Sequence, residues 1–113
     1  MQSVTSNAVA KSFSYSTEEV DTGTLWYDGN KIYKKTFIYD NVSMTTNTEI
    51  QLTTNFPISS NKIAETETFG YNKTSGIFIN DIRIRSTTNN ALNAMQSVTS
   101  GTFIIFFTVF YTK

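Results

Sequence analysis

The sequence predicts an all-β fold, most simply a two-layer antiparallel sandwich, jelly-roll-like, of roughly seven or eight short strands. Composition, alternation and one turn signal carry the prediction. Aromatic residues are 14% of the chain against 16% charged. Thr, Ile, Asn, Phe and Tyr are plentiful while Ala, Leu and Glu are scarce, a balance that suits pleated, half-buried surfaces. Several runs alternate apolar and polar side chains with a period of two. Finally, Asp28-Gly29-Asn30 separates two β-rich runs. Gly and Asn reach positive φ at little cost, which makes this a strong hairpin signal.

From the amino end, Thr5 or Ser6 would cap a short N-terminal helical segment over residues 7–13, with Val9 and Phe13 one turn apart. A frayed terminus fits the same residues. Residues 22–27 and 31–39 are the hairpin strands. A turn centred on Gly29-Asn30 sets Trp26 opposite Tyr33; one centred on Asp28-Gly29 sets Leu25 opposite Ile32 and Trp26 opposite Lys31. Asp40-Asn41 then offers a turn. Residues 49–54 alternate, with Ile50 and Leu52 on one side and Glu49, Gln51 and Thr53 on the other. Asn55-Phe56-Pro57 ends that strand, since proline donates no ladder hydrogen bond.

Residues 62–69 read as a strand with Ile63, Glu65, Glu67 and Phe69 on one face. A polar loop, 70–76, is bounded by Gly70 and Gly76. Residues 77–85 form a strand, or a pair broken near Asn80-Asp81, with Ile82 and Ile84 facing away from Arg83 and Arg85. Residues 91–95 have room for a single helical turn. The hexapeptide Met95-Gln96-Ser97-Val98-Thr99-Ser100 repeats residues 1–6 letter for letter, too short a match to imply a structural repeat.

The last strand, 101–113, sets Phe103, Ile105, Phe107, Val109 and Tyr111 on one face. Ile104, Phe106 and Phe110 lie on the other, with Thr108 and Thr112 among them. A strand apolar on both faces expects a cover on both. A domain of this size has one core, so the second cover is expected to be another subunit. Left bare, such a strand invites aggregation.

Composition excludes several function classes. Nine basic and nine acidic residues give no net charge, so neither a nucleic-acid nor an anionic-membrane partner is expected. The chain has no Cys and no His. Disulfides, thiolate or imidazole metal sites and Cys- or His-based catalysis are thereby ruled out. No EF-hand-like spacing of carboxylates occurs, so no metal and no cofactor are expected. The polar first residues do not read as a signal peptide, and the apolar run from Phe103 to Phe107 is too short to span a bilayer as a helix. A soluble product made in the cytoplasm, without membrane insertion, is the expectation.

No catalytic residue is expected. Glu65 and Glu67 share a strand face as a glycosidase pair might, but carboxylates spaced this way are usually surface residues. Arg83 and Arg85 could clamp an anionic sugar bidentately, but a solvated face with nearby carboxylates is the plainer reading of the pair. Trp26 and Tyr33 read as hairpin packing before sugar stacking. Tyr71, Asn72 and Lys73 join an aromatic face, an amide and a cation in a variable loop, and are the candidates for ligand contact.

Three short pieces carry a resemblance. The order YSTEE (15–19), Gly23-Thr24, Trp26, Asp28-Gly29, Ile32-Tyr33, Lys35 resembles the C-terminal tip domain of bacteriophage or prophage tail or head fibres. VTSNAVA (4–10) resembles the segment that precedes that domain, and Tyr111-Thr112-Lys113 resembles its last strand. Residues 41–95 carry no motif of the resemblance. It implies that residues 1–14 end a fibre stalk and 15–113 form a β-sandwich tip. It further implies a virion protein, homotrimeric, attached to the rest of a fibre and binding a bacterial surface glycan. A small polysaccharide-degrading hydrolase and a ligand-free capsid or fibre decoration are the alternatives.

Overall fold

A computed structural model describes residues 16–87 and 90–113; the helical segment expected over residues 7–13 lies outside them. Eight strands are formed among the described residues: β1 (Val20–Leu25), β2 (Lys31–Met44), β3 (Ile50–Thr53), β4 (Ile63–Asn72), β5 (Ile77–Ile79), β6 (Arg83–Ser86), β7 (Leu92–Met95) and β8 (Gly101–Tyr111). They build two antiparallel sheets, one ordered β1-β2-β8-β4-β5 and the other β3-β7-β6. No α-helix occurs among the described residues, and so none is long and apolar enough to cross a membrane.

β8 is the middle strand of the larger sheet, with β2 on one edge and β4 on the other. Its odd-numbered residues face inward. Phe103, Ile105 and Val109 are fully buried there, and Phe107 and Tyr111 nearly so. Two apolar clusters meet on this row. One joins Phe103 and Ile105 to Met44, Ile79, Ile82 and Ala94; the other joins Phe107, Val109 and Tyr111 to Phe56 and Leu92. Tyr39, Leu52 and Ile84 touch both clusters, so residues of the two sheets share one interior. Each large side chain buried this way contributes roughly 1.5–3 kcal/mol.

The even-numbered side of β8 is different. Ile104, Phe106 and Phe110 are half-buried. Thr108 is closed off at 2% exposure and shares a 2.8 Å hydroxyl hydrogen bond with Thr36 of β2. The pairing satisfies two hydroxyls that would otherwise be buried without a partner.

The hairpin forms, but in neither expected register. Trp26 N donates to Asn30 O at 2.8 Å and Gly29 N to Trp26 O at 2.9 Å. Tyr27, Asp28 and Gly29 are therefore the loop, a tight turn that ends on Gly29 at φ 87°. A second irregularity follows on β1. Asp21 lies opposite Tyr33 and Leu25 opposite Lys31, so residues 22–24 bulge against Ile32 alone. Gly23 takes φ 77°, and Thr22 Oγ1 donates to Ile32 O at 2.8 Å. Trp26 and Tyr33 consequently do not pair. Tyr33 packs on Tyr111 and Trp26 on Tyr27.

Further bulges account for other departures. The turn expected at Asp40-Asn41 is a bulge within β2, with Asn41 at φ 56°, so the strand continues to Met44. On β4, Ile63 lies opposite Tyr111 but Glu65 opposite Phe110, one residue out of step. Ile63 therefore joins the interior instead of sharing a face with Glu65, Glu67 and Phe69. Residues 92–95 are strand β7, and no helical turn forms over 91–95. Leu92 and Ala94 point inward with period two, and Ala94 is completely buried. The repeated hexapeptide at 95–100 makes the β7–β8 turn, where buried Gln96 accepts from Val98 N and Thr99 N and donates to Thr99 O.

A Cβ at Gly29 would meet no atom within 4 Å, so any cost of substitution there lies in the backbone. Gly29→Val is expected to lose about 1–3 kcal/mol, read as a lower Tm. An unchanged Tm would mean that the turn is misplaced.

Candidate functional site

The candidate residues divide between the β4–β5 end of the larger sheet, where Asn72 is buried, and the outer face of the smaller sheet. Tyr71 and Asn72 are in strand β4, not in the expected loop, and the turn is reduced to residues 73–76. Its closing glycine, Gly76, has φ 76° and donates its N–H to Asn72 O.

Asn72 is fully buried. Its amide nitrogen donates to Thr99 Oγ1 and Ser100 O at 3.3 and 3.1 Å, and its Oδ1 accepts from Thr74 N and Ser75 N at 2.9 and 3.2 Å. The side chain fixes the β4–β5 turn against the strand entering β8, which leaves it no access to a ligand. Lys73 Nζ donates to Asp40 Oδ1 and Asn41 Oδ1, both at 2.7 Å, and so ties that turn to the β2 bulge. Tyr71 remains half-exposed, its ring 5.2 Å from Phe78.

That Tyr71 belongs to a row. Tyr71, Phe78, Phe69 and Phe106 follow one another at centroid spacings of 5.2, 5.5 and 6.0 Å across the outer face of the larger sheet. Phe78 is 68% and Ile38 42% exposed. Register places Ile38, Phe106 and Phe69 side by side, with Thr36, Thr108 and Glu67 in the next row and Lys34, Phe110 and Glu65 beyond it. Glu65 and Glu67 thus lie on an exposed sheet face rather than across a cleft. At the far end a shallow groove of about 180 Å³ is bordered by Trp26, Ile32, Glu65 and Phe110.

Arg83 and Arg85 sit on the outer face of the smaller sheet. Register sets Arg83 opposite Met95, and Arg85 opposite Asn93, which in turn faces Gln51 of β3. The two arginines do not work as a pair. Arg85 donates Nε to Glu49 Oε2 at 2.5 Å and Nη2 to Oε1 at 2.8 Å, a bidentate fork. Arg83 makes no ion pair among the described residues. Both line a groove of about 310 Å³ with Glu49 and Met95. The sequence named the arginines as site candidates and put Glu49 on a wet strand face, but did not bring Glu49, Met95 or Phe78 to a site. Their proximity depends on β3 and β6 both pairing with β7 and on β4 pairing with β5, which no local motif announces.

Electrostatics follow the ion pairs. Arg85's guanidinium holds Glu49 below the usual carboxylate range, and Lys73 does the same to Asp40. Glu19 is held down by the Lys113 ammonium and then by the Tyr111 hydroxyl, which hydrogen-bonds to it. Burial first, and Glu19 second, push the Tyr111 phenol up. Asp21 is lowered by the Gly23 N–H and by Lys31. Among the described residues no group of three or more acidic side chains is placed to hold a metal ion.

Comparison with protein-family models, curated proteins and solved structures gave no match, so the functional reading stands on this geometry and on the short motifs of the sequence.

Glu19, Asp21, Asp40 and Glu49 all bind protons less readily folded than unfolded. Their contribution is present above the unfolded carboxylate range and lost as pH falls through the lowered folded values. The Tm should hold steady above about pH 5 and decline towards about pH 2, less steeply in Glu49→Gln. Because these groups are exposed, high salt should shrink the effect. A Tm independent of pH across this window contradicts the ion-pair account.

Proposed function

We propose that this chain is a non-catalytic recognition domain that works as a homotrimer, the tip of a bacteriophage fibre binding a glycan on a bacterial surface. Its fold reads as a two-layer, jelly-roll-like sandwich, with residues 1–14 ending the stalk. The observation that supports self-association is the outer face of the larger sheet. A row of aromatic side chains is only half-covered there, beside Ile38 and Phe78, which are 42% and 68% exposed. Contiguous apolar surface of this kind, rimmed by Lys34, Glu65 and Glu67, has the composition of an interface core within a polar rim. The fibre setting, and with it assembly into a virion after synthesis in the bacterial cytoplasm, is supported by the resemblance of residues 4–35 and 111–113.

The non-enzymatic reading is supported by the absence of His and Cys from the sequence and by the placement of Glu65 and Glu67 on an open face. General acid–base work needs groups converging on a substrate, and the exposed carboxylates do not converge. A recognition tip needs only weak single sites, because three copies at one end of a fibre act together when all can reach the surface.

Light scattering on the purified chain is expected to give three times the chain mass. Phe106→Ser and Phe110→Ser should yield monomer or aggregate. A wild type that runs as a soluble monomer at ordinary working concentrations overturns the trimer, and release of reducing sugar from a bacterial polysaccharide overturns the non-enzymatic reading.

A further inference from the structure

The outer face of the smaller sheet has an arrangement that neither arginine supplies alone. Ile50 pairs with Ala94 and Gln51 with Asn93. Continuing that register by one residue sets Glu49 beside Met95, and Met95 lies opposite Arg83. Arg83, Met95 and Glu49 therefore form one row across three strands. The backbones carrying the guanidinium and the carboxylate are about 10 Å apart, two inter-strand spacings, with a half-buried thioether side chain between them. Arg85 grips Glu49 from the next row and fixes its direction.

The charges are unequal. Two guanidiniums and one carboxylate border the groove, and the Arg85–Glu49 fork offsets one of each. Arg83 is left as a cation with five donors and no counter-ion among the described residues. A ligand matched to this row has one anionic group for Arg83, hydroxyls for Glu49 and an apolar face for Met95. A dianion fits poorly, since Glu49 would repel its second charge. A neutral sugar fits poorly too, because it leaves the Arg83 fork unmatched.

We propose that the Arg83–Met95–Glu49 groove binds a carboxylated sugar, its carboxylate on the Arg83 guanidinium, a ring hydroxyl donating to Glu49, and its C–H face on Met95. This rests on the reading of the domain as a glycan-binding module and names the chemistry of the glycan. The groove, at about 310 Å³, has the size of a small-ligand site.

The test is an NMR titration of the assigned full chain with glucuronic acid and with N-acetylneuraminic acid, against glucose and inorganic phosphate. Either acid should shift amides at Glu49–Gln51, 83–85 and 93–95. Arg83→Gln should weaken the binding at least about tenfold without lowering the Tm, and Arg83→Lys should restore only part, since it lacks the fork. No shift with either acid, equal shifts in Arg83→Gln, or phosphate binding as tightly as the acids overturns the site. Cell binding keeps the two claims apart. Cells bound equally by wild type and Arg83→Gln overturn this groove and leave glycan recognition elsewhere intact. Acid-induced shifts at the groove in a chain that binds no cells support the site and remove the fibre reading.

Discussion

The period-two alternation of β8 is the constraint on which the rest of the structure depends. Pairing on both edges engages its backbone with β2 and β4, and its inward row of Phe103, Ile105, Phe107, Val109 and Tyr111 supplies the floor of the interior. The smaller sheet has no comparable strand of its own. β3, β6 and β7 have four residues each, too few to hold a sheet without something to lie on. Leu52, Ile84, Leu92 and Ala94 reach the β8 row or its neighbours, and that contact holds the smaller sheet in place. The same alternation turns Phe106 and Phe110 outward, so the strand that builds the core also creates the surface proposed to meet another copy.

Side chains at the ends of the elements then fix what alternation leaves open. Glu19 receives the Tyr111 hydroxyl and pairs with Lys113 Nζ, which also lies 4.4 Å from the Tyr33 ring centroid. The edge strand is thereby tied to the end of β8. At the opposite end Asn72 and Gln96, both buried, bind backbone groups of the turns around them. Like the Thr36–Thr108 hydroxyl pair, these amides are buried polar groups, and their hydrogen bonds explain how the fold tolerates them.

Local pattern showed the inward row of β8, the hairpin break at Gly29 and the change near Asn80-Asp81. It did not show register. One extra residue in a strand moves every later side chain to the other face, and the bulges near Asn41 and near Ala64 do this, while the two extra residues at 22–24 shift the hairpin register without changing face. Gly23 and Asn41 hint at such positions through their tolerance of positive φ, but a hint of permissiveness does not say where the partner strand sits. The candidate residues follow the same division. Arg83 and Arg85 could be placed on one face from the sequence, whereas the neutralisation of Arg85 by Glu49, 36 residues away, required the β3–β7–β6 order. Asn72 read as a loop residue because a polar side chain beside Gly70 and Gly76 looks solvent-facing until its turn is seen to fold over it.

Native-state amide hydrogen exchange tests the dependence on β8 most directly. Its amides from Phe103 to Tyr111 are expected to exchange slowest in the molecule, through global unfolding alone, while β1 and the hairpin turn open locally and exchange first. Exchange of the β8 amides as fast as those of β1 would contradict the claim that this strand is the support on which both sheets are built.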